Sequence, residues 1–240
     1  MKNQGVLFVA TGASYVKAGI RAAQTVLRYC PGLPIHLGTD SKSFDAFFNK
    51  SPWPFSSIDK IDNPHRRSKV DYLQQTPFEN TLYLDTDTAL TADISESFTL
   101  MERSDIALCH AHRRSAARSA NRWRIEVPSA YPEFNSGVIM FRKAPAVLRL
   151  LQEWSAAYHE AGQRHDQPTL RELLWLSNLR IATLPPEYNT RMIKYRILWS
   201  KSEATVKILH LKSFHRGRFS WLFRYPLRKW NRLRQKLGAD

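Results

Sequence analysis

Three consecutive segments near the N-terminus constrain the fold most. "GVLFVAT" is a short apolar run rich in β-branched and aromatic residues, the pattern of a buried strand. "SYVKAGIRAAQTVLRYCPG" follows, with Val16, Ile20, Ala23 and Leu27 at helical spacing. Ser14 is placed as an N-cap, and Pro31-Gly32 as a stop. "LPIHLGTD" then reads as a second strand. Strand, helix and strand in this order predict a βαβ unit with two parallel strands.

The alternation continues. "SKVDYLQQT" reads as a helix and "NTLYL" as a strand, and "SDIALCH" and "SGVIMFR" as further strands. "APAVLRLLQEWSAAYHEAG" is a long helix and "QPTLRELLWLS" a shorter one, while "RIATLP" and "TVKILHL" are expected to close the core as short strands. The class is α/β. The 240 residues suffice for one sizeable α/β domain or two small ones. In an open α/β sheet, ligands sit beyond the carboxyl ends of the strands. Thr11, Asp85, Asp87 and His210 all fall at such ends and are the first candidates for a common site.

The net charge is +15, and it is unevenly placed. The first hundred residues are balanced. Five arginines and no acid lie between Ile106 and Ile125, and nine Lys/Arg with one acid between Lys212 and Asp240. Two such patches imply a nucleic acid, an anionic membrane or a phosphorylated substrate as partner. The two cysteines, Cys30 and Cys109, sit in unlike contexts, which argues for a reducing compartment and against a disulfide framework or a CxxC metal site. "GVLFVA" is too short for a signal h-region, and no run approaches a membrane span. A cytoplasmic protein is expected.

The stretch "NTLYLDTDTALT" raises the question of chemistry. Asp85 and Asp87 follow a strand, and an ionised carboxylate there is costly unless paired. Carboxylates at i and i+2 can reach one small cation as the strand turns. Hard oxygen ligands suit Mg²⁺ or Mn²⁺, and an added imidazole favours Mn²⁺. A solvated turn is the bland alternative. A haloacid-dehalogenase-like phosphatase, with Asp85 as nucleophile and Asp87 as general acid, is another. Against it, Thr88 stands at the fourth position of the motif rather than the fifth, and no downstream acid pair follows. A basic nucleic-acid-binding protein is the non-enzyme alternative, but no recognised binding motif appears and no nucleic acid is expected.

At these residues the chain resembles a family, the GT-A glycosyltransferases, and most of all glycosyltransferase family 8, the glycogenin and lipopolysaccharide-galactosyltransferase group. The resemblance runs from about residue 5 to residue 216. It is carried by "VATGASYVKAGIRAAQTVLRY", "LYLDTDTAL", "EFNSGVIMFRK", "HDQPTL" and "ILHLKSFHR", in the family's order. It implies a mostly parallel central sheet flanked by helices. It also implies metal-dependent transfer of a hexose from a nucleotide-diphospho-sugar, in the first place a UDP-sugar, to a glycan or lipid-linked acceptor, with retention.

The resemblance assigns Asp85, Asp87 and His210 as ligands to Mn²⁺ or Mg²⁺. Thr11 and Tyr15 would hold the base, Tyr15 by stacking. Lys69 and Thr86 would contact the donor, and Asn135 and Ser136 would line the sugar pocket. Asp166 and Gln167 would touch the donor sugar near its anomeric carbon. Three and six residues after the histidine, where the family has glycine and a phosphate-binding lysine, this chain has Ser213 and Arg216. Arg216 can serve a phosphate bidentately, while loss of the glycine suggests a different loop path.

The catalytic domain is expected over residues 1–212 and a basic aromatic tail over 213–240. In the tail, Leu227, Trp230, Leu233 and Leu237 form one stripe among basic residues, preceded by Phe219, Trp221, Phe223 and Tyr225. Such a helix lies in a headgroup plane, and peripheral attachment to the inner membrane face is the expectation. The arginine-rich loop before Phe134 is expected to arch over the site and to suit a phosphorylated or acidic acceptor.

Overall fold

The computed structural model describes residues 3–112, 122–200 and 202–216; for Arg196, Ile197 and Arg216 it describes the backbone alone. The tail helix and much of the arginine-rich loop therefore lie outside the described residues. So does the side chain of Arg216.

A seven-stranded sheet forms the centre, in the order β3-β2-β1-β4-β7-β6-β8. Its strands are β1 (Gln4–Ala10), β2 (Ile35–Asp40), β3 (Ser57–Ile61), β4 (Asn80–Leu84), β6 (Ile106–His110), β7 (Phe134–Arg142) and β8 (Ile181–Thr183). β3, β2, β1 and β4 run parallel, β7 runs antiparallel to both neighbours, and β6 is parallel to β8. This is the α/β fold with a mostly parallel sheet that the sequence implies.

Helices cover both faces, which is why the strands read as continuous apolar runs. Successive side chains leave a strand on opposite faces. Val6, Phe8, Leu82 and Leu84 therefore pack with Val16, Ala22, Ala23 and Val26 of α1 (Ala13–Tyr29). Leu7 and Tyr83 face the other way. They join Leu150, Leu151 and Trp154 of α4 (Pro145–Ala161) and Leu170 and Leu174 of α5 (Gln167–Leu176).

Several local expectations are corrected. The N-cap of α1 is Gly12 rather than Ser14, and no side chain caps it. Gly12 has φ of 87°, a left-handed conformation that favours glycine. The buried stripe of α1 includes Val16, Ala23 and Val26, while Ile20 and Leu27 are only partly buried against it. "SKVDYLQQT" breaks into a four-residue helix α3 (Lys69–Tyr72) and a 3₁₀ turn, Leu73–Gln75.

The last strand, β9 (Ile208–His210), does not close the core sheet. It pairs antiparallel with β5 (Thr88–Leu90), a strand directly after the two aspartates, setting Thr88 opposite His210. Two short helices complete the described fold, α2 (Ser41–Phe47) and α6 (Ile193–Leu198). Among the described residues, no helix is long and apolar enough to cross a membrane. Cys30 and Cys109 are buried free thiols.

Candidate active site

A cleft of about 1230 Å³ opens along the ends of β1, β2, β4 and β6 and the start of β7. Eleven of the twelve residues assigned from the sequence line it: Thr11, Tyr15, Lys69, Asp85, Thr86, Asp87, Asn135, Ser136, Asp166, Gln167 and His210.

Asp85 leaves β4 and Asp87 precedes β5. The β5–β9 pairing carries His210 to them, and Leu211 N–H donates to the Asp87 carbonyl at 2.9 Å. The His210 Nε2 lies 3.0 Å from Asp87 Oδ1 and 3.6 Å from Asp85 Oδ2. Burial alone would push the Asp87 carboxyl up. The His210 imidazole beside it outweighs that and holds the group well below the usual carboxylate range. Gly137 makes room for this arrangement: a Cβ there would stand 2.2 Å from His210 Cε1 and 2.5 Å from Asp85 Oδ2. The "FNSG" glycine is thus required by close approach.

These three residues present ligand atoms within 4.8 Å of one another. The chemistry of the set, two carboxylates and an imidazole, fits a hard divalent cation of the Mn²⁺ or Mg²⁺ kind. Second partners aim each donor. Tyr83 donates its hydroxyl to Asp85 Oδ1 at 2.6 Å and Lys69 donates at 3.1 Å, which occupies that oxygen and leaves Oδ2 toward His210. Burial and the Asp85 charge keep Tyr83 a protonated donor. Asn189 Oδ1 lies 2.8 Å from His210 Nδ1, so that nitrogen carries the proton and Nε2 points at the carboxylates. Asn189 is itself fixed by donating to Asn135 Oδ1 at 2.9 Å, an oxygen that also accepts from Gly137 N–H.

Beside this set lies a second buried charge cluster. Asp166 accepts from the Ser136 hydroxyl at 2.7 Å and lies 3.4 Å from Lys69 Nζ and 3.6 Å from Arg67 Nε. Burial opposes its ionisation, but the two cations prevail and bring the carboxyl down to about 2. Asp166 holds the N-cap position of α5 without a side-chain cap bond. Its side chain turns to the cleft wall, and its carbonyl accepts from Trp154 Nε1 at 2.9 Å. Gln167 donates to the Phe134 carbonyl at 2.8 Å. Lys69 therefore bridges the aspartate at the end of β4 and the one at the start of α5.

At the other end of the cleft, Tyr15 is 42% exposed, its ring edge-on to His215 with centroids 4.8 Å apart. His215 Nε2 lies 3.0 Å from the Thr86 hydroxyl. Thr11 donates to the His65 carbonyl at 3.5 Å. Phe214 is fully buried and its carbonyl accepts from Arg21 at 2.9 Å, so residues 212–216 pack on the domain.

Sequence reasoning passed over Asp40, Arg67, Asn189 and His215. Asp40 follows the second strand, and its carboxylate accepts from Gly12 N–H at 2.7 Å. Its place in "LGTD", at a strand end, was a usable signal. The other three reach the site by long-range packing and carry no local pattern.

A GT-A transferase domain is what this sheet and this cleft define. The nucleotide-diphospho-sugar transferase family model matches residues 79–234, and the chain belongs to that family. Among solved structures, the galactosyltransferase LgtC, in complex with donor and acceptor sugar analogs, aligns with a TM-score of 0.61 at 15% identity, covering 87% of each chain. Mouse xyloside xylosyltransferase 1 in its apo form gives 0.55 at 16%, over 86% of this chain and 97% of that one. The glycosyltransferase GlyE of Streptococcus pneumoniae TIGR4 gives 0.59 at 18%, over 88% of this chain and 54% of that one. At these identities the likeness is one of fold. No curated protein matches the chain. Family membership makes the protein a glycosyltransferase rather than a haloacid-dehalogenase-like phosphatase.

Proposed function

We propose that the protein transfers a hexose from a UDP-sugar to a glycan or lipid-linked acceptor, with Mn²⁺ or Mg²⁺ and with retention. The observation that carries the metal requirement is the convergence of Asp85, Asp87 and His210, from two strand ends, on one point in the cleft. A divalent ion held there would supply Lewis-acid stabilisation of the departing diphosphate.

The chain's own residues do the rest. Tyr15 offers an exposed ring for the base, and Thr11 and Gly12 stand beside it. Lys69 and Arg67 hold positive charge where the donor sugar meets the diphosphate. They also keep Asp166 ionised, so this carboxylate can accept hydrogen bonds from sugar hydroxyls. Gln167 is an amide and a poor nucleophile, and Asp166 is engaged by Ser136, Lys69 and Arg67. With the two best-placed side chains so committed, attack by the acceptor hydroxyl on the same face as the leaving group is the economical route to retention.

Peripheral attachment through the tail, residues 213–240, belongs to the same proposal and rests on its basic amphipathic sequence alone. A hydrolysis screen over nucleotide sugars with Mn²⁺ tests the donor assignment. Turnover of one UDP-hexose is expected, and turnover of purine-nucleotide sugars in its place would overturn the UDP reading. Tyr15→Ala should weaken UDP binding by about 1–3 kcal/mol, by analogy with base–aromatic stacking.

A further inference from the structure

Two buried charges on α5 grip the chain on its way into β7. The Glu172 carboxylate accepts from the backbone N–H groups of Trp123, Arg124 and Ile125. Arg171, beside it on the helix, donates to the carbonyls of Val127, Pro128 and Tyr131. Burying an acid and a guanidinium is costly unless their hydrogen bonds are made. Here those bonds fix a segment that has no helix or strand of its own.

The segment ends in a ring pair. Tyr131, half-buried, stands edge-on to Trp175 of α5 with centroids 5.1 Å apart. Trp175 is 44% exposed, and Leu176 after it is exposed as well. The pair is continuous with the cleft. Tyr131 meets Phe134 edge-on at 6.0 Å, and Phe134 meets the exposed His110 at 5.7 Å. Phe134 directly precedes Asn135 and Ser136 of the cleft wall, and His112, just beyond His110, lines the cleft too. Gln167 marks the cleft end of α5, and Trp175 stands about 12 Å further along the helix at its usual rise per residue.

We propose that Trp175 and Tyr131 form an outer subsite for an oligosaccharide, on which sugar units beyond the one in the cleft stack. The inference rests on the reading of the acceptor as a glycan. A pyranose has an apolar C–H face and hydroxyl-bearing edges, and a ring such as tryptophan, apolar in body with one polar tip, matches it. Holding the rings in place beforehand lowers the ordering cost of binding a flexible chain. Two partly exposed side chains fall far short of the roughly 800 Å² per partner that a stable protein interface buries, so the patch suits a sugar ring better than a protein.

The test applies the full chain, with UDP and Mn²⁺, to an array of bacterial and mammalian glycans. The best-bound oligosaccharide is then titrated by calorimetry beside its shortened forms, down to the monosaccharide. Affinity is expected to rise ten-fold or more with length. Trp175→Ala should lose that gain and Trp175→Phe keep part of it, both with UDP-sugar hydrolysis within two-fold of the parent, which also shows that the variants fold. A monosaccharide bound as tightly as the longer forms would overturn the proposal. So would a gain that survives in Trp175→Ala, no glycan retained at all, or a concentration-dependent dimer that Trp175→Ala abolishes, which would give the patch to a second copy. Length-dependent binding that needs Trp175 but brings no transfer onto the bound glycans would support the subsite and strike the glycan-acceptor reading instead.

Discussion

Among the described residues, two clusters place three histidine and aspartate side chains within 4.8 Å of one another, and they are opposites. In the first, Asp85 and Asp87 flank His210, whose outer nitrogen is committed to Asn189. Two carboxylates meet one imidazole there, and with Nδ1 committed to Asn189 only Nε2 is left to face both. In the second, Asp71 is the centre and donors surround it: His65, the Ser155 hydroxyl, and His159 at 2.9 Å. The other nitrogen of His65 accepts from Arg67 N–H at 3.2 Å. Here the single carboxylate is satisfied, and its role is to tie the 64–69 segment, with Arg67 and Lys69, to α4. Proximity of ligand atoms does not make a metal site. The balance of donors and acceptors around them decides.

That contrast can be broken or sharpened by substitution. The largest effect is expected from Asp87→Asn, which removes a charge from the acceptor-rich cluster. Mn²⁺-dependent donor hydrolysis should fall by about a hundred-fold or more, the scale of losing several kcal/mol of charge stabilisation. Asn189→Leu leaves all three ligands in place but frees the His210 ring. Mn²⁺ affinity by calorimetry should fall about 10–100-fold, with Asn189→Asp recovering part of it because an acceptor for Nδ1 remains.

Acid stability separates the buried cluster around Asp166 from both. Its folded value of about 2 lies below the ordinary 3.8, so its contribution is fully present above about pH 4. It is lost as pH falls through the folded value, a loss of about 2 kcal/mol. Urea unfolding between pH 5 and 2 should show that slope in the parent protein and a flatter one in Asp166→Asn. The smallest effect belongs to Asp71→Asn. The cluster is half exposed, so the cost should be about 1 kcal/mol, or about 2–4 °C in melting temperature. Mn²⁺ affinity should stay within about two-fold, which is the outcome that distinguishes the two clusters.

The same contrast explains what the sequence made legible. β4 follows "NTLYL" and α4 follows its long amphipathic run because each pattern is local and strongly periodic. β3, "SIDKI", alternates with charged residues at a sheet edge and has no apolar run to announce it. β5 is three residues long and exists because β9 returns to pair with it, a contact across 120 residues of chain. The Asp85–Asp87 pair was legible because charges directly after a buried strand are improbable without a purpose. Asn189 was not, since "PEYN" reads as a turn until folding brings it against His210. The "FNSG" glycine is visible as a motif, but its physical reason, two ligand side chains standing where a Cβ would be, appears only in three dimensions.

The central claim is that Asp85, Asp87 and His210 bind a divalent ion without which the donor is not used. The most direct measurement is turnover of the preferred UDP-sugar by the full chain with Mn²⁺, with excess EDTA, and with Mn²⁺ restored, alongside His210→Ala. Turnover is expected only where Mn²⁺ is present, with full recovery on its return and near-complete loss in the variant. Undiminished turnover in EDTA, or in His210→Ala, would contradict it.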